Sequence, residues 1–80
     1  MDTATLLDAL GGNTAVARLL AIRQPSVSEW RARDFIPKDK LILLAVIAED
    51  RGLSTRQKLM PHDFWRIWPD LAHLKPADAA

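Results

Sequence analysis

Apolar positions fall in short groups separated by glycine and proline, and the spacing inside each group is helical. Leu6, Leu7 and Leu10 share one face of a first helix, with Asp2 or Thr3 before it as a cap and Gly11-Gly12 behind it as a stop. Asn13 is expected to cap the next helix. There Val16, Leu19 and Leu20 at i, i+3, i+4 form the apolar stripe and Arg18 points away. Ala21-Ile22-Arg23 reads as a short break. Pro25 then occupies a first helical position, where proline is best tolerated, and Val27 and Trp30 form the buried stripe behind it.

Asp34-Phe35-Ile36 reads as a connection and Pro37 as another start. The run Leu41 to Ala48 holds eight apolar residues. Alone it is compatible with a buried strand; its length, with a proline before it and Gly52 after it, favours a helix from about Lys38 to Arg51. Ser54 is expected to cap a short turn from Thr55 to Leu59. Pro61 opens a last one with Phe64, Trp65, Ile67 and Trp68, and Pro69 stops it. Residues 75–80 read as a frayed tail. The pattern predicts an all-α fold of about five helices, in one domain over residues 1–74.

Composition narrows the function. The 80 residues are 49% hydrophobic and 26% charged, enough for one small domain and against wholesale disorder. Without cysteine there is no disulfide, thiolate metal site or cysteine nucleophile. The apolar run is too short to span a bilayer, and Met1-Asp2-Thr3 lacks the basic-then-apolar design of a signal peptide. A cytoplasmic location without membrane contact is the expectation. The formal net charge is only +1. The excess is local, however: Arg18, Arg23, Arg31, Arg33, Lys38 and Lys40 outnumber Glu29, Asp34 and Asp39 between residues 13 and 40.

That basic stretch holds the informative segment, Asn-Thr-Ala-Val-Ala-Arg-Leu-Leu-Ala-Ile-Arg-Gln-Pro-Ser-Val-Ser-Glu-Trp-Arg-Ala over residues 13–32. It resembles the helix-turn-helix of phage Cro-like and YdaS antitoxin-like regulators of the Cro/CI superfamily. The positions have physical reasons. Ala17 is small where the second helix crosses steeply, Leu20 and Ile22 fill the angle at the turn, and Val27 and Trp30 pin the second helix from beneath. The resemblance covers residues 3 to about 61, with the motif itself at about 13–33. It implies a five-helix, lambda-repressor-like fold whose second motif helix enters the DNA major groove. Position 21 departs from the family, which usually has glycine there in a left-handed conformation. Alanine in that conformation costs on the order of 1 kcal/mol.

With Val27 and Trp30 buried, helical phase exposes Gln24, Pro25, Ser28, Glu29 and Ala32, with Ser26 at the edge. Gln24, Pro25, Ser26, Ser28 and Glu29 are the candidate base-contacting residues. Glutamine suits adenine, serine donates or accepts, and glutamate accepts from the cytosine amino group. Glu29 has a competing local role as the i+4 partner of Arg33, and Ser26 as a helix-start hydroxyl. Candidate backbone contacts are Asn13 and Thr14 at a helix start, Arg23 in the turn, Arg31 and Arg33 late in the recognition helix, and Lys38 and Lys40. The two lysines oppose the dipole of the helix they begin, so local stability does not ask for them.

Other chemistries are poorly supplied. His62 and His73 lie far apart with only Asp63 and Asp70 beside them, so no metal site is expected. No serine is paired by motif with a histidine and a carboxylate, and the glycines form no phosphate loop. Neither an enzyme nor a cofactor is expected. Trp65 and Trp68 are candidates for a dimer interface, since the apolar run exceeds what one buried helix face requires. The expected function is sequence-specific repression of the phage Cro type, with a homodimer on a palindromic operator of double-stranded DNA and hence a nucleoid-associated location. The alternatives are an antitoxin that represses its own operon and binds a toxin, and a protein-interaction module that never meets DNA.

Overall fold

The computed structural model describes residues 1–78. Among the described residues the chain is all-helical, with six α-helices, a 3-10 segment and no strand. It divides into two units, Met1–Leu44 and the chain from Ala45 onward. No described helix is long and apolar enough to cross a membrane.

The first unit contains α1 (Thr3–Ala9), α2 (Asn13–Leu20), α3 (Gln24–Arg33) and the start of α4 (Lys38–Asp50). Asp2 caps α1, its carboxylate accepting from the Thr5 N–H at 2.8 Å. α2 packs on α3, and α1 on both. Leu6, Leu7, Leu10, Val16, Ala17, Val27, Trp30, Ile36 and Leu44 are its buried apolar residues. Each fully buried leucine is worth roughly 1.5–3 kcal/mol relative to exposure, so the stripe read from sequence on α1 dominates that helix's contribution.

Four helix ends share one closure. Gly11, Ala21, Asp34 and Gly52 have φ of 108°, 55°, 52° and 72°. The N–H of each reaches back to the carbonyl three residues earlier, on Asp8, Arg18, Arg31 and Glu49. The N–H of the following residue reaches five back: Gly12 to Leu7, Ile22 to Ala17, Phe35 to Trp30 and Leu53 to Ala48. These paired bonds satisfy carbonyls that a helix end otherwise leaves open, and the positive φ is what allows both. Gly11 has a second reason to lack a side chain, since a Cβ there would stand 2.9 Å from the Ala15 Cβ. Ala21 and Asp34 adopt the left-handed conformation with a side chain. At Asp34 the carboxylate also accepts from the Thr3 N–H, at 3.3 Å, tying the end of α3 to the start of α1.

Several boundaries differ from expectation. Gly12, not Asn13, precedes the first residue of α2 as its cap, and Asn13 is already helical. Its side chain is engaged elsewhere, so it does not fold back onto its own N-terminus. α3 starts at Gln24, which puts Pro25 second. Leu19 is 38% exposed rather than part of the buried stripe. Ala17 fills the inner face there, and the stripe is Val16-Ala17.

The second unit contains the rest of α4, α5 (Arg56–Leu59), α6 (Phe64–Ile67) and a 3-10 segment (Pro69–Leu74). Thr55 caps α5 in place of Ser54, its hydroxyl accepting from the Lys58 N–H at 3.0 Å. α6 ends before Pro69 as expected, with Trp68 extended, and Pro69 also starts the 3-10 segment, where its fixed φ and missing N–H suit a first turn. Prolines 61 and 69 thus cut the region into single turns, which is why the helical segments outnumber the expected five. Ala45, Ala48, Met60 and Phe64 are buried, and Phe64 meets Trp65 edge-on with ring centroids 5.1 Å apart. The expected tail, residues 75–80, lies partly outside the described residues; residues 75–78 are exposed and non-helical.

Candidate nucleic-acid interface

α3 buries only two of its ten residues. Its inner face is Val27 and Trp30, at 0% and 8% exposure. Gln24, Pro25, Ser26, Ser28, Glu29 and Ala32 are exposed, so the outward face holds four hydrogen-bonding side chains and no large apolar one. The buried Ala17 of α2, at 5% exposure, provides the small position beneath it. The connection Ala21–Arg23 turns through left-handed Ala21, and extended Arg23 caps α3 without a side-chain hydrogen bond.

Four polar side chains are brought together across the three helices of the first unit. The Arg31 guanidinium donates from Nε and Nη2 to Asn13 Oδ1, at 3.0 and 2.9 Å. Its Nη2 also donates to Asp8 at 2.7 Å. The other end of the Asn13 amide donates to Ser28 Oγ at 3.1 Å. The Arg31 side chain retains only 32% exposure, against 66% for Asp8. Arg31 and Asn13, both candidates for phosphate contact, are therefore spent largely on each other. Asp8 was missed because its partner is 23 positions away, beyond any local spacing rule.

Glu29 and Arg33 pair at 2.9 Å as i,i+4 neighbours with exposed side chains. Such surface pairs are worth about 0.3–0.5 kcal/mol, little enough for either partner to leave for a stronger one. Thr14, Arg23 and Lys38 are exposed, and Lys40 is half-buried, 3.8 Å from Asp39.

In the second unit Trp65 and Trp68 are half-buried, and cations lie over both rings. Arg56 stands 5.3 Å from the Trp68 centroid, and Arg66 and Lys75 stand 5.8 and 6.0 Å from that of Trp65. Arg56 is the hub of this unit. It reaches Glu49 at 2.6 Å and Asp70 at 2.9 Å, with 17% of its side chain exposed. Hydrogen bonding to Asp70, then to Glu49, raises the arginine's pKa, and the same Arg56 contact holds the Asp70 carboxyl below its ordinary value. Sequence reasoning missed this cluster too, since its members come from three separate elements.

Among the described residues no group of three or more histidines, cysteines or carboxylates could hold a metal ion. Comparison with known proteins finds no matching family model, no matching curated protein and no matching solved structure.

Proposed function

We propose that this chain binds double-stranded DNA sequence-specifically through α3 and acts as a transcriptional repressor of the phage Cro type. The observation that carries the reading is the pairing of α2 and α3 through a left-handed residue, with an outward face made of Gln24, Ser26, Ser28 and Glu29. A rigid helix with buried Val27 and Trp30 and a polar opposite face is what major-groove readout requires.

The contacts sort into two kinds. Gln24, Ser28 and Glu29 read bases, Gln24 by a bidentate bond to adenine and Glu29 by accepting from cytosine once its weak pair with Arg33 opens. Pro25 and Ser26 border them at the start of α3. Thr14, Arg23, Arg33, Lys38 and Lys40 serve phosphates, with the start of α2, where Gly12 offers no capping side chain, adding backbone N–H groups. Arg31 and Asn13 we assign to holding α3 in place, because both ends of the Asn13 amide and the Nε and Nη2 of Arg31 already have partners. Repression follows from occupying an operator and excluding polymerase, with no chemistry involved, and DNA association places the protein at the nucleoid.

One recognition helix reads only a few base pairs, so a homodimer on a palindromic operator is part of the proposal. Apolar surface for it is present. In the second unit Val46 on α4 is 46% exposed, and Trp65 and Trp68 are half-buried.

The direct test is selection from a random double-stranded DNA library with the purified chain, followed by binding titrations at several salt concentrations. Enrichment of a two-fold-symmetric motif, with affinity falling steeply in salt, supports the proposal. Recovery of no motif, with no salt-dependent binding, removes it and leaves a protein-interaction role.

A further inference from the structure

We infer that Asn13 sets the hydrogen-bond polarity of Ser28, so that Ser28 reads the keto oxygen of guanine or thymine in preference to the amino group of adenine or cytosine. The inference rests on the DNA-binding reading of α3 and specifies what one of its residues recognises.

A serine hydroxyl is ambiguous by itself, with one hydrogen to give and two lone pairs to receive. Here the ambiguity is resolved through a chain of bonds that starts at a charge. Arg31 has only donors, so the Asn13 atom it meets through Nε and Nη2 must be the amide oxygen. The orientation of the Asn13 amide is thereby forced, and its nitrogen is the end that faces Ser28 Oγ, at 3.1 Å. Asp8, 2.7 Å from Arg31, anchors the arginine and keeps it from swinging away. Ser28 is thus obliged to accept from Asn13, and its own hydrogen is left for whatever lies outside α3.

The consequence for readout is a matter of satisfied donors. Against a keto oxygen, Ser28 accepts from Asn13 and donates to the base, and bonds running in one direction reinforce one another. Against an amino group, Ser28 would accept twice, and its hydrogen would be left unpaired in the interface. At the groove position where the bases differ, keto oxygens belong to guanine and thymine and amino groups to adenine and cytosine. The N7 acceptor, common to both purines, gives a donating serine no discrimination, so the preference is specific to a serine placed at that position.

Asn13→Asp reverses the chain. A carboxylate still accepts from Arg31 but offers Ser28 only an acceptor. Ser28 then donates inward and turns lone pairs outward, which suits an amino group. The experiment is library selection with the wild-type chain, Ser28→Ala and Asn13→Asp, each checked for helicity and melting. The expected result is one position per half-site that prefers guanine or thymine in the wild type by roughly fivefold, a single hydrogen bond's worth. Ser28→Ala flattens that position and Asn13→Asp shifts it to adenine or cytosine. If Asn13→Asp does not fold, Asn13→Ala replaces it and should relax the preference. Retention of the wild-type preference in the folded Asn13 variant overturns the inference while leaving DNA binding intact. So does a Ser28→Ala motif identical to the wild type. Failure of the wild type to enrich any motif overturns both readings together.

Discussion

Arg31 on α3 holds Asn13 at the start of α2 through two of its donor nitrogens, Nε at 3.0 Å and Nη2 at 2.9 Å. The fork geometry is what makes the contact specific, since lysine offers a single point charge. Arg31→Ala is expected to lower stability by about 1 kcal/mol, the worth of partly exposed charge-assisted bonds. Arg31→Lys should not restore the loss. Urea denaturation of the three proteins measures this, and a lysine variant as stable as wild type would show that charge alone suffices.

Ala21 adopts φ 55° and ψ 44° to close α2. Glycine takes that conformation without a Cβ penalty, so Ala21→Gly should stabilise the fold by up to about 1 kcal/mol. Ala21→Val, β-branched in the same conformation, should destabilise it. Thermal melting of the pair reads both signs. Asp34 has φ 52°, but a glycine there would forfeit the bond from Thr3, so the gain at that site should be smaller.

Substituting a base-reading residue and a phosphate contact should have different signatures. Gln24→Ala is expected to cost about 1–3 kcal/mol on the selected operator and little on random DNA. Lys38→Ala and Lys40→Ala should weaken both and lower the slope of log affinity against log salt by about one each. Titrations at four or more salt concentrations separate the two patterns. An unchanged operator preference in Gln24→Ala would mean the recognition face is placed wrongly.

Acid should destabilise the chain through identifiable carboxylates. Hydrogen bonds from the Thr5 side chain and backbone hold Asp2 below its ordinary 3.8, and those from Arg56 do the same for Asp70. A carboxyl with a depressed folded pKa binds fewer protons folded than unfolded. Its stabilisation is therefore present above the unfolded pKa and is lost as pH falls through the folded value. Stability should decline below about pH 4, and Asp2→Asn and Asp70→Asn should each flatten that decline. Urea midpoints between pH 2 and 6, within roughly the ordinary carboxylate range, provide the measurement.

Assembly is tested by sedimentation at several concentrations, with and without operator. Two chains per operator are expected. Trp68→Ala should weaken operator binding more than it weakens binding to an isolated half-site. Because Arg56 lies over Trp68 at 5.3 Å, the variant's helicity is measured alongside. One chain per full operator would remove the symmetric dimer and leave the α3 reading standing.

What the sequence alone determined is what depends on neighbours along the chain. Glycines at 11 and 52 marked helix ends, because glycine alone takes positive φ without penalty. The spacing of Leu6, Leu7 and Leu10, and of Val27 and Trp30, placed the buried faces, because helical phase is local; the exposed face of α3 followed by subtraction. The tertiary structure decided everything that turned on a distant partner. Asn13 is a good cap by type, yet Arg31 and Ser28 claim its side chain, and Gly12 takes the capping position. Arg31 looked like one basic residue among several until Asp8, 23 positions away, gave it an internal task. Asp34 carries a weaker local mark of a left-handed helix end than glycine, and its bond to Thr3 joins residues 31 positions apart. Leu19 fits the apolar period and is nevertheless 38% exposed, because a stripe states which face turns inward but not how far the neighbouring helix reaches across it.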